Sequence, residues 1–121
     1  MSKYVDGFVP VPKDKVEAYR KMAAEANAIW MEYGALAAVE CVADDVARGK
    51  VTSFPQAVDL KDNETVVFAW IEYNSREHRD RVNAQVMKDP RMKNMDPKAM
   101  PFDMERMFWG GFETIVEYHA D

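Results

Sequence analysis

The chain has 121 residues, 48% of them hydrophobic and 31% charged, a balance that belongs to an ordered globular domain and excludes a disordered one. The length fits a single domain, residues 1–121, with no room for a second core, and a net charge of -5 disfavours a nucleic-acid partner. No apolar run approaches the roughly 18 residues of a membrane span, so we expect no membrane partner.

Tyr4 to Val11 is rich in β-branched and aromatic residues and reads as a first strand, stopped by Pro12. From Lys13 to Tyr33, the apolar residues Val16, Tyr19, Ala23, Ala26, Trp30 and Tyr33 recur every three or four positions. That spacing lays one apolar stripe along a helix, with Gly34 as its stop. Ala35 to Asp44 reads as a second strand, and Asp44 to Lys50 as its exit loop. Phe54 to Leu60 fits a short extra turn or a strand extension.

Thr65 to Tyr73 carries the strongest strand signal and is expected at the centre of the sheet. Ser75 can cap a second helix running to about Lys88, with a thin stripe of Val82, Val86 and Met87. Asp89 to Arg106 contains three prolines and Met92, Met95, Met100 and Met104, too broken for one regular element. Met107 to Tyr118 closes the pattern as a last strand, with a bulge or a close backbone approach expected at Gly110-Gly111.

The order βαββαβ folds most simply as an α+β, ferredoxin-like domain: a four-stranded antiparallel sheet with two helices on one face. The other face would expose aromatic side chains, which monomers seldom tolerate over more than a few hundred Å². A homodimer covering that face is the expected solution. The lone Cys41 has no intrachain partner, and residues 1–5 run into a strand pattern without an apolar leader, so the expected location is cytoplasmic.

The segments Tyr4-Val5-Asp6-Gly7-Phe8, Gly34-Ala35-Leu36 with Val39-Glu40-Cys41, Val66-Val67-Phe68 with Trp70-Ile71, Asp89-Pro90-Arg91-Met92, Met100-Pro101-Phe102-Asp103, and Arg106-Met107 with Gly110-Gly111-Phe112 form one set. Together they resemble the YbaA-like family of uncharacterised bacterial proteins, within the dimeric α/β-barrel superfamily. The resemblance runs from end to end and implies a ferredoxin-like protomer paired into a dimeric α/β barrel. It brings no established activity or catalytic residues with it. Related barrels include cofactor-free monooxygenases, lactone isomerases and heme enzymes, so the fold selects no chemistry.

Each strand carries one acidic residue among apolar ones: Asp6, Glu40, Glu72 and Glu113. Alternation groups Asp6 with Tyr4 and Phe8, Glu72 with Phe68 and Trp70, and Glu113 with Trp109. A polar residue should avoid the helix-covered face, which would turn these groups into the barrel. Carboxylates among aromatic rings have raised pKa values and can work as acid or base. Asp6 and Glu72 are therefore the best catalytic candidates, and Asp6, Glu40, Trp70, Glu72, Arg106 and Trp109 the candidate ligand-binding set, with Arg106 as a partner for an interior carboxylate. The ordinary alternative places these carboxylates at strand ends or a wet dimer seam.

Cys41 has the opposite parity to Glu40 and is expected to face the helices as a small core residue. His78 and His119 lack a second ligand at metal spacing and read as surface residues, so no metal and no cofactor is expected. Arg76, Arg79, Asn83 and Arg91 fit a solvated helix face better than an anion site. The methionines from Met87 to Met107 read as gap-filling core or as an adaptable lid. Two functions follow: a barrel enclosing a cavity for a small, largely apolar molecule with a polar group, or an interaction module whose interior is filled by its own aromatics. No phosphate loop, nucleophile triad or metal cluster decides whether the first would be an enzyme.

Overall fold

The computed structural model describes residues 3–13 and 15–120; the expected domain of residues 1–121 thus includes Met1, Ser2, Asp14 and Asp121, which lie outside the described residues. Strands β1 (Tyr4–Val9), β2 (Ala37–Val42), β3 (Val67–Tyr73) and β4 (Phe108–Glu113) form one antiparallel sheet in the order β2-β3-β1-β4. Helix α1 (Val16–Glu32) connects β1 to β2, the one-turn α2 (Phe54–Ala57) lies between β2 and β3, and α3 (Arg76–Lys88) and the short α4 (Pro90–Lys93) lead back towards β4. This is the expected ferredoxin-like α+β arrangement, with β1 and β3 at its centre. Among the described residues, no helix is long and apolar enough to cross a membrane.

The main core lies between the sheet and its two long helices. Val67, Ala69, Ile71 and Tyr73 of β3 are buried under Tyr19, Ala23 and Ile29 of α1 and Val82 and Val86 of α3. The α1 stripe is rotated slightly from the expected one: Ile29 is buried and Val16, at the first position of the helix, is exposed. Gly34 ends α1 with φ +109°, a conformation that costs other residues a steric penalty. There the amide of Ala35 donates to the Trp30 carbonyl at 3.1 Å.

Cross-strand partners share a face, so register decides what each side of the sheet presents. Asp6 pairs with Ile71 and with Gly111, Phe8 with Trp109, and Glu40 with Ala69, all on the helix side. Gly7 pairs with Trp70, Val5 with Glu72, and Cys41 with Phe68, all on the open side. The β1–β4 ladder runs through Gly110-Gly111 without a bulge. The close approach is real: a Cβ on Gly111 would lie 2.0 Å from the Tyr4 hydroxyl. β4 ends at Glu113 rather than Tyr118, with the amide of Thr114 donating to the Lys3 carbonyl at the end of β1.

Candidate functional site

A cavity of about 370 Å³ lies between the helix side of the sheet, α1, α3 and the segment 92–107. Seven methionines line it: Met22, Met87 and all five between Met92 and Met107. Aromatic rings complete the wall, with Phe102 meeting Tyr19 edge to face at 5.7 Å between ring centres. Met87 and Met104 are exposed at its outer edge and the other five are half-buried. They form a flexible, polarisable lining of the kind that adapts to a bound shape. Proline breaks and side-chain caps shape this wall locally. Asp89, Asp96 and Asp103 each accept a hydrogen bond from the backbone amide two residues on, at 2.8, 2.9 and 3.0 Å.

Two carboxylates reach this lining. Glu40, on the edge strand β2, accepts hydrogen bonds from the Tyr19 hydroxyl at 2.5 Å and from Asn27 Nδ2 at 3.2 Å, both on α1. Burial raises the Glu40 pKa above its ordinary value, and the two donors only partly offset this. Burial and the adjacent carboxylate push the Tyr19 hydroxyl far above its own ordinary value, so Tyr19 stays a donor. A raised folded-state pKa means that the protonated carboxyl is favoured by folding. The associated stability is present at low pH and is lost as pH rises through the folded value. Glu40→Gln should therefore gain stability relative to the native protein as pH rises from about 4 to about 8. Urea unfolding across that range measures it, and a pH-independent difference would show that Glu40 titrates like a solvated glutamate.

Asp6 sits in an ion-paired network. It is only 9% exposed, and it accepts from Arg79 Nη1 at 2.7 Å and from Asn83 Nδ2 at 3.3 Å. Asn83 Oδ1 in turn accepts from Trp30 Nε1 and from the Tyr73 hydroxyl, each at 3.0 Å. The Arg79 guanidinium lies 5.1 Å from the centre of the Tyr4 ring, the ring for which Gly111 leaves space.

The predicted cluster on one helix-distal face is thus divided. Trp70 and Glu72 lie on the open face as expected, Glu72 with Lys3 at 3.9 Å. Asp6, Glu40 and Trp109 lie on the helix side, where Trp109 is 72% exposed at the rim of the cavity. The assumption that failed is that a carboxylate avoids the helices, since α1 and α3 bring polar partners to both. Arg106 meets no sheet carboxylate either. It holds Glu64, whose side chain is almost wholly buried, and Asp103 at 2.8 Å, and donates to the carbonyl of Asp59, tying the wall segment to the turn before β3. Cys41 is exposed on the open side of the edge strand, opposite to the expected core position. Arg79 and Asn83 are interior partners of Asp6, while Arg91 joins Asp89 and Glu32 at the surface.

Tyr19 and Asn27 did not enter the predicted site. Asn27 had a legible signal: it stands four residues after Ala23 on the inward side of α1, where a polar residue needs a partner. His78 is structural, accepting the Asn74 amide on Nδ1 at 3.0 Å.

On the open face, Val5, Val9, Phe68, Trp70 and Phe112 surround a concave apolar surface of about 730 Å³, floored by the opposed glycines Gly7 and Gly110. Phe68 and Phe112 are 47% and 63% exposed.

Fold and cavity together define a small ferredoxin-like α+β protein with one helix-covered and one bare sheet face. The chain belongs to the family described as "Protein of unknown function (DUF1428)", whose model matches residues 3–104. It is 57% identical over 116 residues to "Uncharacterized protein YbaA" of Escherichia coli K12, an alignment that covers 95% of this chain and 98% of that relative. The same identity and coverage hold for the protein of that description in Shigella flexneri. The expected family resemblance is thereby established.

Proposed function

We propose that the protein is a cytoplasmic homodimer whose helix-side cavity binds a small, largely apolar molecule through one polar group, as a binding protein or a cofactor-free enzyme. The observation that carries this reading is the methionine-walled cavity with Glu40, Tyr19 and Asn27 converging at one end. Apolar walls with a few placed polar groups are the usual make-up of a ligand site, and about 370 Å³ falls in the usual size range. This reading moves the ligand pocket from the helix-distal face, where it was first expected, to the space between sheet and helices.

Dimerisation is supported by the open face. Its exposed rings form one apolar concavity, in which the Phe112 ring lies over Gly7 and Gly110 and still leaves 63% of its residue for a second copy to cover. The packed-interior alternative, an interaction module, applies to that face and leaves the helix-side cavity unexplained. Two measurements test the reading. A neutral fluorophore such as N-phenylnaphthylamine should bind once per chain and be excluded by Ala26→Phe, which fills the cavity from α1. Binding that survives Ala26→Phe in the folded variant but disappears with Phe112→Glu would move the site to the open face. Sedimentation equilibrium should give a dimer at micromolar concentration and a monomer for Phe112→Glu; a native monomer would refute the assembly.

A further inference from the structure

Resting on the cavity reading above, we propose that the cavity selects a neutral, hydroxyl-bearing, planar apolar molecule whose O–H donates to Glu40, and that it excludes carboxylates and phosphates. The argument is an inventory of donors and acceptors. The polar side chains that line the cavity are Asp6, Tyr19, Asn27, Trp30, Glu40, Asn83 and Trp109, and none of the described lining residues is Lys, Arg or His. Trp30 donates to Asn83, Tyr19 and Asn27 to Glu40, and Asn83 to Asp6, so the donors beyond these bonds are neutral ones: the second amide N–H of Asn27 and of Asn83 and the indole N–H of Trp109 at the exposed rim.

Acceptor capacity is what the cavity has in surplus. A carboxylate offers about four lone-pair sites, and Glu40 has two of them filled. Asp6 has its charge matched by Arg79, whereas Glu40 has no Lys, Arg or His within 4.0 Å among the described residues. An anionic ligand group would meet two carboxylates and no cation in the lining, a costly burial. A hydroxyl placed at Glu40 loses nothing, because it exchanges a water acceptor for a carboxylate one. The raised Glu40 pKa agrees with a carboxylate held without a cation. The rings of Tyr19 and Phe102 and the surrounding thioethers favour a flat, polarisable body, since sulfur and aromatic edges both pack well on a ring face.

Calorimetric titration of the native protein with β-naphthol, its methyl ether and β-naphthoate tests this with one ring system and three polar groups. β-Naphthol should bind at least about tenfold more tightly than the ether, which lacks the donor, and β-naphthoate should bind weakest. In Glu40→Gln, whose amide offers N–H donors, the preference for naphthol over naphthoate should shrink by about tenfold or more. Naphthoate or ether binding as tightly as naphthol to the native protein would overturn the proposal while leaving the cavity reading intact. Failure of all three to bind would overturn the cavity reading and the proposal with it.

Discussion

Arg79→Met is expected to destabilise the protein by about 3–5 kcal/mol, a large share of the 5–15 kcal/mol that typically holds a domain together. Arg79 Nη1 donates to Asp6 on the central strand β1, and the side chains of both residues are largely withdrawn from water. Removing the guanidinium would leave a carboxylate under α3 with only the long contact from Asn83. It would also strip the cation from the Tyr4 ring. Replacing both charges should recover part of the loss, because the double variant Asp6→Asn, Arg79→Met no longer buries an unmatched charge. Urea unfolding with an unchanged denaturant dependence measures both; a loss under about 1 kcal/mol for Arg79→Met would mean that water reaches Asp6.

Trp30→Ala should cost a comparable amount, about 3–5 kcal/mol, as the truncation of a large ring packed against the main core cluster. The indole also donates to Asn83 Oδ1, the atom shared with the Tyr73 hydroxyl. Since Asn83 connects Trp30 to Asp6, this change and Arg79→Met should not add independently. A double-mutant cycle should show coupling of about 0.5 kcal/mol or more. Denaturant titration showing less than about 1 kcal/mol for Trp30→Ala alone would place the indole at the surface. Trp30 also lines the cavity, so its loss should enlarge the ligand space, contrary to the purely structural role its place in the helical stripe implies.

The element order was legible because its punctuation is strong. Pro12, Gly34, the cap at Ser75 and the β-branched run before Tyr73 each forbid or favour one local conformation. The end of β4 was not legible. Residues 114–118 have strand-like composition, but β4 is an edge strand whose one neighbour among the described residues is β1, and its pairing stops with β1. Composition records what a segment prefers and not whether a neighbouring strand is there to take it.

The candidate site was half legible for a related reason. Parity grouped Asp6 with Phe8 and Glu72 with Trp70 correctly, but it did not say which group faces the helices. β1 is apolar in both parities, with Val5 and Val9 on one side and Tyr4 and Phe8 on the other. The choice is made by Arg79 and Asn83, more than seventy residues later, and by Tyr19 and Asn27 for Glu40. A buried carboxylate is tolerated where its donors are, and those donors lie on other elements.

The wall of the cavity is made of turns that close on themselves. Asp89, Asp96 and Asp103 each bond an amide two positions away, while distant partners fasten the segment only near its two ends, Tyr33 and Glu32 at Asp89 and Arg91, Val11 and Glu64 at Asp103 and Arg106. The sheet, in contrast, depends on pairings across the whole chain. The stretch between those anchors, residues 94–102, is expected to open locally ahead of the β-ladder, and weaker amide-exchange protection there than in β1 and β3 would show it. Such an opening would uncover the cavity from its methionine side and leave in place the elements that hold Glu40 and Asp6.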